Sequence, residues 1–527
     1  MTRAARVGAA AGAGLLGGLF ALSYGLRYGV HNQHTYLLRA VRRADPTLFA
    51  RDWLVSATTD YHPAWSVLAG WLMATGHGPW LLAAGNVLVL CAAALLVHAL
   101  ARGLVAERVL AVLALVLGYT VFDAQHEVVG SVAVSALFTN YLVPANLGSL
   151  GLLAAVALHL RGRFLLAGLA AAAGGFFHAN FLVLAPPVLL GAHLLAPRTA
   201  GWWRGAAASL APSTLVLLLR LPELLAMSAD PQAAAGRAVF MAVRSPHHYQ
   251  PFTFLRDFAP FYAWQLAGLL ALRWWAPPRT VVFERLRALM AALFLAITGA
   301  TLLTTAVIVP FVGQLYVWRL APLSVLLAQI ACASWLVRAE TWAWIAARLP
   351  RAPSVAPFAA GAVGAALLAI GAARGLPGLG AEARALRLSL ADDEKLYGWA
   401  RTTAKDALFA VPPDAHAFRL AAERAIVVDW KSTPVLPGEV LEWHRRLLLV
   451  SGRPSVSSLD DAANGYRTMG PRRIARLRSE LGVDYVVLRQ PFPRGRLPEY
   501  RVAFADRRFI AFDVSAHEPT GGLPQPD

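Results

Sequence analysis

Over 80–101 the chain reads WLLAAGNVLVLCAAALLVHALA, over 102–108 RGLVAER, over 109–122 VLAVLALVLGYTVF and over 123–127 DAQHE. Two apolar runs flank a short turn that carries Arg102 and Arg108. The second run ends on Asp123, Gln125, His126 and Glu127. A helix of about 20 apolar residues spans a bilayer. The stretch therefore reads as two antiparallel membrane helices, with a basic turn on one side and an acidic, His-bearing cluster on the other.

The same pattern repeats along the chain. Of 527 residues, 57% are hydrophobic and only 15% are charged, against roughly 25% charged in a soluble domain. Mean hydropathy is +0.52. These figures exclude disorder, collagen and a soluble globule. We count about 11 candidate spans, at 7–28, 80–101, 109–122, 144–160, 163–178, 180–196, 205–221, 258–272, 287–310, 320–337 and 354–373. The fifth and sixth are separated only by His178-Ala179-Asn180, which suits a helical hairpin. The first is expected to be a retained helix rather than a cleaved signal. Cys91 and Cys332 sit inside apolar runs, so no disulfide or metal motif is expected from them.

The net charge of +18 follows from 48 basic residues, all Arg but Lys395, Lys405 and Lys431. Arg recurs in alternate short connections: Arg3 and Arg6, Arg102 and Arg108, Arg161 and Arg163, Arg198 and Arg204, Arg273 to Arg287, and Arg338 to Arg351. The positive-inside rule makes these the cytoplasmic loops, with a cytoplasmic N-terminus. The charge is then a membrane signature, and no nucleic-acid partner is expected. An odd span count puts the C-terminal region outside.

Two regions follow. Residues 1–375 read as a multi-span membrane domain with a long first outer loop at 29–79. Residues 385–527 read as a soluble extracytoplasmic α/β domain. There the apolar runs shrink to strand length at 407–411, 425–429, 483–488 and 508–514, between helical patterns at 390–404, 438–451 and 471–481. The expected fold is thus an all-α polytopic membrane protein with a C-terminal α/β domain.

The outer face carries the chemistry-bearing residues. Asp52 lies in the first loop, after Asp45-Pro46, which reads as a helix start. It serves either as a reacting carboxylate or simply as the partner of an Arg. Asp60 is a second first-loop candidate. Asp123 and Glu127, four apart, share a helix face, with His126 between them. Ionisable groups at that depth mark a site, and two carboxylates with His also suit a divalent metal. His178 tips the helical hairpin, and His247-His248-Tyr249 follows Pro246. Arg319, beside Trp318, heads a span. It suits a phosphate or a snorkelling anchor.

A long first outer loop bearing an acidic residue, an acidic cluster after the third span, many spans and a C-terminal α/β domain together resemble the GT-C superfamily. These are integral membrane glycosyltransferases that use polyprenyl-phosphate-linked sugars. The segments carrying the resemblance, to an uncharacterised bacterial subgroup, are His31-Asn32-Gln33-His34, Asp45-Pro46, Arg51-Asp52-Trp53, Pro246-His247-His248-Tyr249, Val428-Asp429-Trp430-Lys431 and Trp443-His444-Arg445-Arg446. The resemblance implies a bacterial inner-membrane enzyme moving a sugar from a polyprenyl-phosphate donor to a cell-envelope acceptor at the extracytoplasmic face. It implies Asp52 as general base, Asp123 and Glu127 as donor- or acceptor-positioning or metal-holding carboxylates, and Arg319 against the lipid phosphate. His126, His178, His247, His248 and Tyr249 would bind substrate. First loops in the family carry a tight acidic pair, whereas here Asp52 follows Arg51. Two other readings stand beside this one: a non-catalytic envelope scaffold, and a lipid-linked substrate transporter. The second is disfavoured, because the chain has no half-to-half repeat and no charge at a span centre.

Overall fold

Backbone in lipid must satisfy its own hydrogen bonds, so long apolar runs fold as helices. The computed structural model follows that rule. It describes residues 3–24, 26–126, 132–133, 135–198, 200–275, 279–306, 315–347, 356–388 and 395–515. Within these, it describes backbone alone at 3–6, 122–126, 222–229, 344–346, 356–358, 376–378, 381–382, 384–388 and 494. The described residues of each candidate span are mostly helical. Four helices are long and apolar enough to cross a membrane by themselves: Val7–Tyr24, Gly78–Arg102, Val281–Thr305 and Val317–Val337. Shorter apolar helices include Val109–Val121, Pro144–Leu160, Phe164–Phe177, Ala179–Leu195 and Ala359–Gly375. This is an integral membrane protein.

The chain divides into two units. The first comprises Met1–Arg27, Leu82–Pro222 and His247–Arg384. In it the Pro144–Leu160 helix packs closely against Phe164–Phe177. A Cβ on Gly151 would sit 2.6 Å from the Gly174 Cα, and one on Gly174 would sit 2.7 Å from the Gly148 carbonyl oxygen. Only glycine lets the backbones approach so closely, which is how helices associate where no water drives them together. Around this pair the core is aliphatic, with Leu153, Leu293, Leu323 and Leu327 fully buried.

The second unit comprises Tyr28–Leu81, Glu223–Pro246 and Ala385–Asp527. Residues 28–81 therefore fold with the C-terminal residues, not with the helices that flank them in sequence. Its centre is a five-stranded mixed sheet of β1 (Leu408–Ala410), β2 (Ala425–Ile426), β3 (Tyr485–Arg489), β4 (Arg501–Ala505) and β5 (Phe509–Asp513), in the order β2-β1-β3-β5-β4. β1 pairs parallel with β2 and β3, and β5 pairs antiparallel with β3 and β4. Alternate strand residues point to opposite faces. Val486, Leu488, Ile510 and Phe512 pack with Trp443, Leu447, Tyr466, Ile474 and Leu477. Val487, Phe509 and Ala511 pack with Leu396, Phe409 and Phe418 on the other face. The α/β expectation holds, with β4 an addition to it. The Asp45-Pro46 expectation does not. Asp45 ends the Leu38–Ala44 helix, and its carboxylate takes the Thr47 amide at 3.0 Å to begin a turn.

Candidate functional site

In the first unit, His178 joins the Phe164–Phe177 and Ala179–Leu195 helices. It is extended there, because two helices must reverse direction in one residue. It is 4% exposed, and its Nε2 lies 2.9 Å from Arg319 Nη1. Arginine has no acceptor, so His178 Nε2 accepts and the ring's proton sits on Nδ1. Gly148 makes room for this, since a Cβ there would lie 2.9 Å from the His178 Cβ.

Arg319 sits in the 3-10 turn Val317–Leu320, which heads the Ala321–Val337 helix. Its guanidinium carbon lies 4.9 Å from the Tyr316 ring centre and 5.9 Å from that of Phe181. Both rings stabilise the cation. The Nε is buried with no hydrogen-bond partner, and no carboxylate pairs with Arg319 among the described residues. A half-buried guanidinium whose buried Nε is an unused donor is prepared for an oxygen acceptor.

Tyr316 holds the other side. Its backbone is left-handed (φ 51) and so is that of Ala133 (φ 59), a conformation that costs a non-glycine residue roughly 1 kcal/mol or more. The Tyr316 hydroxyl donates to the Ala133 carbonyl at 2.9 Å. His248 Nδ1 reaches the same carbonyl at 2.8 Å, with the Tyr316 oxygen 3.0 Å away. A carbonyl only accepts, so His248 Nδ1 carries a proton. The Ala133 amide donates to Asp257 at 3.1 Å. Tyr249 packs on Tyr316 with ring centres 5.6 Å apart, and His247 on His248 at 4.1 Å. The structure thus brings together His178, His247, His248, Tyr249 and Arg319. It adds Tyr316, Ala133 and Asp257, which sequence reasoning had not singled out. A left-handed tyrosine gives no signal in sequence.

Asp123 and His126 fall in the last turn of the Val109–His126 helix, where only the backbone is described. Glu127 lies outside the described residues. Among the described residues, no three metal-type ligands converge.

Asp52 is in the second unit and is fully buried. It caps the Trp53–Ser56 helix, with Oδ1 accepting from the Val55 amide at 3.2 Å. Oδ2 accepts from Arg419 Nε at 2.7 Å and from the Ile426 amide at 3.0 Å. Arg419, 1% exposed, donates its Nη1 to the equally buried Asp429. Burial would push the Arg419 pKa down, but the charges of Asp52 and Asp429 outweigh it and raise it. Asp52 is therefore partnered by an arginine, the plainer of its two expected roles. Asp60 serves local structure too. Its Oδ1 accepts from the His62 amide at 3.2 Å and the Ser66 hydroxyl at 3.1 Å.

No curated protein matches the sequence. A family model described as a domain of unknown function (DUF6798) matches residues 391–450, the segment that supplies β1, β2, Arg419 and Asp429. Among solved structures, the chain is similar to ArnT from Cupriavidus metallidurans bound to undecaprenyl phosphate. Identity is 15%, the match covers 97% of this chain and 98% of that one, and the TM-score is 0.50. The chain shares the fold of that protein. At that identity the likeness concerns architecture. Because it covers nearly the whole of both chains, the likeness takes in the α/β unit as well as the helices.

Proposed function

We propose that the protein is an inner-membrane glycosyltransferase that takes a sugar from a polyprenyl-phosphate-linked donor and transfers it to a cell-envelope acceptor at the extracytoplasmic face. The observation that carries this reading is the Arg319 guanidinium: held by His178, stacked on Tyr316 and Phe181, and left with a buried, unpartnered Nε. Support also comes from the shared fold of a protein whose structure holds undecaprenyl phosphate.

In this reading Arg319 binds the phosphate that links lipid to sugar. As the glycosidic bond breaks, negative charge grows on that phosphate, and a fixed guanidinium away from water stabilises it. His178 is a positioning residue that aims Arg319. His248, with its proton on Nδ1, turns Nε2 toward the acceptor hydroxyl as general base. His247 and Tyr249 shape the sugar subsite. Asp123, His126 and Glu127 would orient the acceptor or hold a divalent cation. In this reading Asp52 is structural, its oxygens accepting from the Val55 amide, Arg419 and the Ile426 amide.

The test is binding of undecaprenyl phosphate to the detergent-solubilised full chain. Hydrogen bonds to a charged group contribute roughly 1.5–3 kcal/mol, so Arg319→Ala weakens binding about 10- to 150-fold. Arg319→Lys restores part of it through charge alone. Equal affinity in wild type and Arg319→Ala would sink the proposal.

A further inference from the structure

The second unit carries a groove of about 900 Å³ between the end of the Pro437–Ser451 helix and the start of the Pro471–Leu481 helix. Five arginines line it: Arg445, Arg453, Arg472, Arg473 and Arg476. Two have carboxylate partners. Arg445 pairs with Glu442 at 2.6 Å, and Arg476 with Glu480 at 2.8 Å. Arg453, Arg472 and Arg473 form no ion pair among the described residues.

Arg473 is fixed by neutral groups. Its Nη1 donates to the Gly465 carbonyl at 2.8 Å, and its Nη2 to the Thr468 hydroxyl at 3.2 Å. The guanidinium lies directly over Gly452, where a Cβ would fall 2.2 Å from Nη2. Gly452 is left-handed (φ 63) as it closes its helix, so glycine is needed there twice over. Its conformation excludes most side chains, and the guanidinium fills the space a Cβ would occupy. Arg453 and Arg472 stand exposed at the rim. The wall between them is the N-terminus of the second helix. It begins Gly470-Pro471, has no acidic residue in its first turn and no side-chain cap, and so adds positive potential.

We propose that this groove binds a diphosphate or a comparably phosphate-rich group. Arg472 and Arg473 carry no carboxylate partner among the described residues, and Arg453 is balanced only by the charge of Asp461, with no ion-pair contact, so the groove keeps a surplus of positive charge. A phosphate ester brings about two negative charges and accepts bidentate arginine bonds. The volume is that of a ligand site, larger than a single ion needs. The phosphates could belong to a soluble molecule or to a lipid headgroup.

Inorganic pyrophosphate titrated into the full chain in neutral detergent tests this directly. The expected result is saturable binding that weakens between about 50 and 200 mM salt. The double variant Arg453→Ala/Arg472→Ala, at exposed positions, keeps the wild-type melting temperature and binds at least tenfold more weakly. Arg319→Ala keeps this binding unchanged, which separates the groove from the proposed polyprenyl-phosphate site. Repeating the titration in nanodiscs of phosphatidylcholine, with and without phosphatidylglycerol, identifies the source. Loss of pyrophosphate binding only with the anionic lipid means that headgroups occupy the groove, and retention means a soluble ligand. No saturable binding, or equal binding by the double variant, overturns the proposal.

Discussion

Replacing Asp52 with Asn separates a structural carboxylate from a reacting one. Asp52 accepts three hydrogen bonds, from the Val55 amide, the Ile426 amide and Arg419 Nε. Asparagine keeps one acceptor oxygen and gains an NH2 group. If the oxygen stays on Arg419 and Ile426, the NH2 faces the Val55 amide, donor against donor. The lost helix cap costs about 1 kcal/mol. The lost charge on the arginine bond costs roughly another 1–3 kcal/mol. Arg419 keeps Asp429, so the buried cation is not orphaned and the total stays near 2–4 kcal/mol. In a unit of this size, 1 kcal/mol moves Tm by roughly 2–4 °C, so we expect a fall of about 4–16 °C. Tryptophan-fluorescence melts of the full chain in detergent measure it. Release of polyprenyl phosphate from a lipid-linked sugar, per folded molecule and well below the melt, stays at the wild-type rate. An unchanged Tm together with abolished turnover would refute the reasoning and return Asp52 to the chemistry.

Further outcomes follow from other groups. Removing the cation instead, as Arg419→Leu, strands two buried carboxylates and costs about 3–5 kcal/mol. A melt no lower than that of Asp52→Asn would contradict the triad. His34 donates Nε2–H to the Gly29 carbonyl at 2.6 Å, and burial pushes its pKa from 6.5 down to about 4. The folded state therefore keeps His34 neutral while the unfolded chain takes up a proton below about pH 6.5. The stability this confers is full above pH 6.5 and drains away toward pH 4, by at most about 3 kcal/mol. The His34→Gln variant should show a flatter Tm-against-pH curve over that window, and a parallel curve would rule His34 out. Gly174→Leu forces a side chain against the Gly148 carbonyl, so the hairpin must separate. Tm should fall and Arg319-dependent undecaprenyl-phosphate binding should weaken, because His178 caps the displaced helix. Unaltered binding would uncouple the hairpin from the site.

The helices were legible because a span depends on local apolar content alone, as residues 80–122 show. The cluster around Arg319 was legible for a related reason. His178, His247, His248 and Arg319 are polar interruptions at the ends of apolar runs, and span ends at one membrane face lie near one another. What stayed hidden depends on distance along the chain. Nothing near Asp52 announces Arg419, which sits in the apolar stretch Phe418–Ala422 and looks like a surface residue on a short helix. The first loop was read beside its sequence neighbours, although Leu37, Leu38 and Phe49 are buried inside the α/β unit. β4 was missed because Arg501–Ala505 is an edge strand, exposed or half-exposed along its length, without the alternation that marks a half-buried strand.

The ion pair between Asp52 and Arg419 closes a loop of 367 residues. On a ribosome adding about 5–20 residues per second, the carboxylate waits roughly 20 to 70 s for its partner. Throughout that time the apolar side of residues 28–81 has no sheet to cover it. A chain interrupted before residue 419 never acquires one. Only a polypeptide translated past β5 can bury its own residues 28–81 under the complete sheet.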